Sequence, residues 1–214
     1  MRKILLVISL LLLLIVSIYL LYIFNYIGHK KYDNNDFDIE TYTSTVDKDN
    51  DGIDDQSDIL FSVKEYISTN PKYESRYYNG GYPNDGYGVC TDVVSFGLLG
   101  AGYNLRDLVN EDIINNRELY DMEIVDKNID FRRVRNLDIY FKNNSINLTT
   151  DIYNISAWQG GDIVIFKKHI GIVSDKRNKK GIPFVIHHYN KYQKSYEEDI
   201  LEYRNDIVGH YRVS

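Results

Sequence analysis

WQGGDIVIFKKHIGIVSD, residues 158–175, holds two short runs dense in β-branched residues, separated by Lys-Lys-His. Runs of this length bounded by glycine or charge read as strands, Asp162–Phe166 and Ile170–Ser174. Ile139–Phe141, Phe184–His188 and Val208–Val213 have the same character. Upstream the period changes. Ile59, Leu60, Val63, Tyr66 and Ile67 recur at helical spacing, which predicts a helix from Asp58 to Ile67 ended by Asn70-Pro71. Tyr77–Gly88 is turn material, and a second helix is expected over Cys90–Ala101 with Gly102 at its C-terminal cap. Two short helical pieces fit between Leu105 and Tyr120. Helices first and an antiparallel sheet second predict an α+β domain in which the helix carrying Cys90 packs on the sheet.

The N-terminus opens with Arg2-Lys3 and an uncharged apolar run from Ile4 to Phe24. At 1.5 Å per residue this spans about 30 Å, a bilayer's hydrocarbon thickness. No small-residue cleavage pattern follows it, and Tyr, Phe and Asn crowd its far end. An uncleaved single-pass anchor is the favoured reading, with a cleaved signal peptide as the alternative. The chain divides into an anchor (1–28), a polar tether (29–45), an acidic loop (46–58) and the α+β domain (59–214). The formal net charge of −6 argues against a nucleic-acid partner. Arg2 and Lys3 favour the N-terminus inside while Lys30 and Lys31 flank the other end, and the domain is expected outside the cell membrane. One cysteine among 214 residues excludes an internal disulfide framework.

DKDNDGIDDQSD, residues 47–58, places acidic residues at loop positions 1, 3, 5, 9 and 12 and Gly52 at position 6. This is the EF-hand spacing for oxygen ligands around calcium. Asp47, Asp49, Asp51, Asp55 and Asp58 would supply carboxylates and Ile53 a carbonyl, for a structural ion. Asp58 stands where an EF-hand has a bidentate Glu. The apolar residue at position 7 instead resembles the calcium loops of thrombospondin type 3 repeats. The alternative is a solvated acidic tether.

Cys90 follows a glycine-rich turn and opens an apolar helix, where backbone N–H groups lower a thiol pKa and can serve an oxyanion. A buried free cysteine acting as a small hydrophobe is the plain alternative. His169 begins one expected strand, His187 and His188 end another, and His210 lies in a third. A cysteine nucleophile needs a base within reach and a third group to orient it. Among these histidines no pair has the short spacing of a structural zinc site. The three arginines of Asn128–Asn136 would either clamp a substrate carboxylate or pair with Asp126, Asp130 and Asp138. Trp158, alone before a strand, reads as core.

At this point the motifs resemble a family. YYNGGYPNDGYGVCTDVV, WQGGDIVIF, HIGIVSD and VIHH resemble the corresponding segments of the NlpC-type cell-wall cysteine peptidases, a papain-like group. GVCTDVV, NIDFRRVRNL, GDIVIF, HIGIVSDKR, VIHH and GHYR together resemble domain of unknown function 1287. The resemblance implies a papain-like fold, with Cys90 as nucleophile, His169 as base, His187 as the orienting residue and Tyr77 near the nucleophile. The peptidases carry Asp just before the cysteine, where this chain has Val89, and His188 remains an alternative to His187. The resulting expectation is a membrane-anchored extracellular thiol hydrolase acting on cell-wall peptide. A thiol acyltransferase shares that chemistry, and a non-catalytic, calcium-stabilised binding domain is the alternative from another class.

Overall fold

The computed structural model describes residues 2–23, 27 and 30–213. Helix α1 (Arg2–Ile23) is 22 residues long with no buried side chain. By length and composition it can cross a membrane. The far end of the expected anchor (24–26, 28) and His29 of the expected tether lie outside the described residues.

The rest of the expected tether is docked on the domain. Tyr32 forms an antiparallel bridge with Arg177. Asn34, in a 3-10 turn at Asn34–Phe37, donates to Gln159 Oε1 at 3.0 Å and accepts from Arg177 Nε at 2.6 Å. Single polar anchors of this kind leave no hydrophobic period, so the sequence read as free chain what the fold holds down.

Helix α2 (Asp55–Ser68) starts three residues before the predicted Asp58, because the Asp54 carboxylate accepts the Ser57 N–H and caps it. The turn-rich segment that follows is tied at its ends by a short parallel pair, β1 (Lys72–Tyr73) and β2 (Tyr87–Gly88). Helix α3 (Cys90–Gly100) ends as expected. Gly102 adopts φ +77°, and the Tyr103 N–H turns back to the Leu98 carbonyl at 2.8 Å. Helices α4 (Leu105–Asn115) and α5 (Arg117–Tyr120) fall in the span expected for them.

Ile139–Phe141 is not a strand. It lies inside α6 (Val134–Asn144), whose Leu137 and Phe141 are fully buried one turn apart. A β-rich triplet is outweighed there by an eleven-residue helical stripe that the core covers.

Six strands form one antiparallel sheet: β3 (Ile146–Asn147), β4 (Ile163–Phe166), β5 (His169–Arg177), β6 (Pro183–Ile186), β7 (Glu197–Glu198) and β8 (Ile207–Arg212). Their order is β3-β8-β4-β5-β6-β7. The edge strands β3 and β7 are two residues each, too short for alternation to reveal. Ile163, Ile165, Ile170, Ile172 and Ile186 face α2, α3, α4 and α6. Val164, Phe166, Val173 and Val185 pack on the other side against Trp158, Ile182 and Leu201. Both faces of β4 are thus buried, which is why its sequence is a continuous apolar run. The chain is an α+β protein with an N-terminal apolar helix.

Candidate active site

Strand register assigns the histidines to faces. Phe166 pairs with His169 and Ile172 with Ile186. By alternation His169 and His187 share the Phe166 face, while His188 turns toward the helices. The ring contacts agree. His169 Nε2 lies 2.9 Å from His187 Nδ1, and His188 meets Tyr73 and Tyr196 at 5.1 and 5.0 Å between centroids. His187, not His188, is therefore the histidine that touches His169. Gly171 permits this closeness, since a Cβ there would stand 2.6 Å from Val185 Cγ1 and 3.2 Å from His187 Cβ. All three rings are at least 96% buried.

Beyond the pair lies a residue the sequence did not single out. His187 Nε2 is 3.3 Å from Glu198 Oε2, brought there by the pairing of Val185 with Glu198. Only that register distinguishes Glu198 from the other carboxylates of an acidic chain.

The Cys90 helix is anchored from beneath. Asp92 accepts the Val89 N–H at 2.8 Å and binds Arg132 through two bonds of 2.7 and 2.8 Å. Arg132 also donates to the Arg76 carbonyl at 2.5 Å. Both side chains are buried, so Arg132 is neither a substrate clamp nor a partner of Asp126, Asp130 or Asp138. Arg133 approaches Asp130 at 3.6 Å, and Arg135 lies 3.6 Å from Asp121.

The backbone amides of Ile170, Thr91 and Cys90 itself lie near enough to the thiol to favour its thiolate. Ile170 directly follows His169, so the helix start abuts the β5 start. Among the described residues no hydrogen bond links the thiol to His169. Burial pushes the Cys90 thiol up to about 11, with Asp92 adding repulsion and the backbone amides pulling the other way. This reverses the sequence expectation of a lowered pKa, because desolvation outweighs the helix N-terminus. Burial likewise drives His169 down to about 3, helped by His187 and Arg204. At neutral pH both groups rest uncharged.

Tyr77 is not brought to this centre. It is exposed, accepting from Asn128 Nδ2 at 3.2 Å and lying 3.5 Å from Asp126 Oδ1. The tyrosine beside the thiol is Tyr73, whose phenol is raised by burial and then by the proximity of Cys90 and Tyr189. His210 is structural. It bonds Asp162 at 3.0 Å and the Thr149 carbonyl at 2.7 Å, and Trp158 stacks on it at 3.7 Å.

A cleft of about 560 Å³ opens beside His169, lined by Lys167, Lys168, Tyr189, Arg204 and Asp206. In a chain of net charge −6, three cations against one carboxylate make this a locally basic wall.

In the acidic loop, carboxylate oxygens of Asp47, Asp49 and Asp51 lie within 4.8 Å of one another, a hard-oxygen set of the kind calcium takes. Gly52 adopts φ +94°, which permits the turn, and the Ile53 N–H bonds Asp51 Oδ1 at 2.8 Å. Asp55 is drawn off. It accepts the Lys48 N–H at 2.8 Å and the Tyr103 hydroxyl, and it opens α2. Asp58 is raised by burial, with Asp51, Asp49 and Asp55 adding repulsion after its bond to Ser62 is counted. Three of the five carboxylates therefore form the cluster, and Asp58 feels the charge of two of them, Asp49 and Asp51.

Comparison with known proteins follows the same lines. No solved structure matches the chain. A relative described as "Uncharacterized protein YijF" of Escherichia coli (strain K12) is 38% identical over 151 residues, covering 66% of this chain and 72% of that protein. The Domain of unknown function (DUF1287) family matches residues 61–213, from within α2 to the end of the sheet. The matched span holds Cys90, His169 and His187, and the chain belongs to that family.

Proposed function

We propose that this protein is a thiol hydrolase of papain-like, NlpC-like architecture that attacks amide bonds of cell-wall peptide. The observation that carries the reading is the buried His169–His187 contact at 2.9 Å, at the start of the strand whose Ile170 backbone lies beside the Cys90 thiol. A helix with a cysteine at its head, set against a strand with a histidine at its start, provides nucleophile and base on rigid elements. His187 occupies Nε2 of His169, so the thiol proton would go to Nδ1 as sulfur attacks the carbonyl carbon. It would pass around the open start of β5, because His169 and α3 lie on opposite faces of the sheet. Because both groups rest uncharged, the proton moves during attack rather than before it. The Cys90 and Thr91 N–H groups at the helix start are donors for the oxyanion. The imidazolium then protonates the leaving amine, and water completes hydrolysis of the thioester.

The basic cleft favours a peptide carrying a free carboxylate near the scissile bond. Transfer to an amine instead of water would make the protein an acyltransferase by the same steps. Anchoring by α1, with the domain outside the cell membrane, would hold the site at the wall. Calcium bound by Asp47, Asp49 and Asp51 would brace the loop that precedes α2. It would supply charge neutralisation there.

The test is alkylation of Cys90 by iodoacetamide in the full chain in detergent micelles, beside His169→Ala. The expected outcome is labelling at pH 7 at least tenfold slower in the variant, the two rates converging at high pH where hydroxide forms the thiolate directly. Equal rates at pH 7 would remove the base role and leave a non-catalytic binding domain, the reading that the burial-raised thiol favours.

A further inference from the structure

The geometry points to Glu198 as a positioning residue that fixes which nitrogen of His169 is basic, an assignment that rests on the thiol-hydrolase reading for its purpose but not for its test. His187 Nε2 faces the Glu198 carboxylate at 3.3 Å and the Gln193 amide nitrogen at 3.5 Å. The amide nitrogen has two hydrogens, and both are used, one to the His187 carbonyl at 3.1 Å and one to the Ser195 carbonyl at 2.7 Å. The amide cannot turn over, because Gln193 Oε1 accepts the Tyr189 N–H. His187 Nε2 is thus left facing a carboxylate and no free donor, so it carries the hydrogen, which the Glu198 charge holds there.

The consequence passes along the pair. With its hydrogen on Nε2, the His187 imidazole presents a lone pair at Nδ1 and is an acceptor there. It accepts from His169 Nε2–H across 2.9 Å. His169 Nδ1 is then bare. That is the nitrogen the hydrolase reading assigns to the Cys90 proton, in a site where both histidines are nearly fully buried. Neither Arg204 and Asp206 beside His169, nor His188 beside His187, bonds either ring, so none of them competes for the tautomer.

Substituting glutamate with leucine keeps a similar volume and removes the acceptor. Nothing then holds the hydrogen on His187 Nε2, so the His169 hydrogen should distribute between Nε2 and Nδ1. A purely structural role for Glu198 predicts no such redistribution.

The experiment is long-range ¹H–¹⁵N NMR of histidine-labelled full chain in detergent micelles at pH 7, with His169 assigned by its loss in His169→Ala. Wild type should show His169 protonated on Nε2 and bare on Nδ1. Glu198→Leu should show both His169 tautomers, with Cys90 alkylation slowed in proportion to the Nδ1-protonated fraction, while Glu198→Asp keeps the wild-type pattern. A wild-type His169 protonated on Nδ1, or a Glu198→Leu tautomer unchanged from wild type, would overturn the assignment. The wild-type spectrum decides even where the variant fails to fold. A redistributed tautomer in Glu198→Leu with Cys90 alkylation indifferent to His169 would uphold Glu198 as the positioning residue and sink the hydrolase reading instead.

Discussion

Asp92 is a carboxylate with no solvent exposure, held by the Val89 N–H and by two bonds from Arg132. A buried pair is tolerable only while both partners are present, because either charge alone keeps its desolvation cost. Arg132→Met should therefore destabilise the protein by about 3–5 kcal/mol, read as a lowered urea midpoint with unchanged m-value. An effect below about 1 kcal/mol would mean that the pair is relieved by solvent. Since Asp92 also holds the amide ahead of Cys90, the same variant should lower Cys90 reactivity per folded molecule. Cys90 was singled out from its place after a glycine-rich turn, and that much was legible. The partner of Asp92 was not, because 40 residues separate it from Arg132 and three nearby aspartates offered themselves as nearer partners for the arginines.

At the scale of elements, the acidic loop and α2 form one unit. Asp54 caps the helix, Asp55 is tied to Lys48 and Tyr103, and Asp47 accepts the N–H groups of Asp51 and Gly52 at 3.2 and 3.0 Å. Loop and helix should accordingly stabilise together. At about 100 times its dissociation constant, calcium would add about 2.7 kcal/mol, or roughly 5–10 °C in Tm for a domain of this size. Asp51→Asn should shrink that shift. A thermal midpoint unmoved by calcium would refute the metal role. The five-acid spacing was visible in the sequence, but which carboxylates converge was not. Helix α2 begins at Asp55 and draws that side chain into backbone and tyrosine contacts. The strand read into Ile139–Phe141 failed for a related reason, since three residues cannot report the helical period that eleven do.

Across the whole molecule, burying neutral histidines makes stability depend on pH. Burial lowers His169 to about 3 and His188 to about 4, against about 6.5 for the unfolded chain. Below pH 6.5 the unfolded state binds protons that the folded state refuses, so their contribution is present at pH 7 and is lost as pH falls. Each should cost on the order of 2 kcal/mol between pH 7 and 5. His188→Leu, whose ring nitrogen Nδ1 has no partner, should flatten the fall in urea midpoint over that interval. A fall identical to wild type would show that His188 is not held neutral. What the sequence determined by itself was local and periodic. Apolar run length gave the N-terminal helix, period gave α2, α3 and the central strands, and helices before strands gave the α+β class. Its motifs also picked out Cys90, His169 and His187. What only the tertiary structure decided was pairing: His187 rather than His188 against His169, Glu198 behind it, Arg132 beneath Asp92, Tyr73 rather than Tyr77 beside the thiol. Register and burial are properties of contacts between distant residues, and desolvation, which raised the thiol where its helix position alone would have lowered it, exists only once those contacts exclude water.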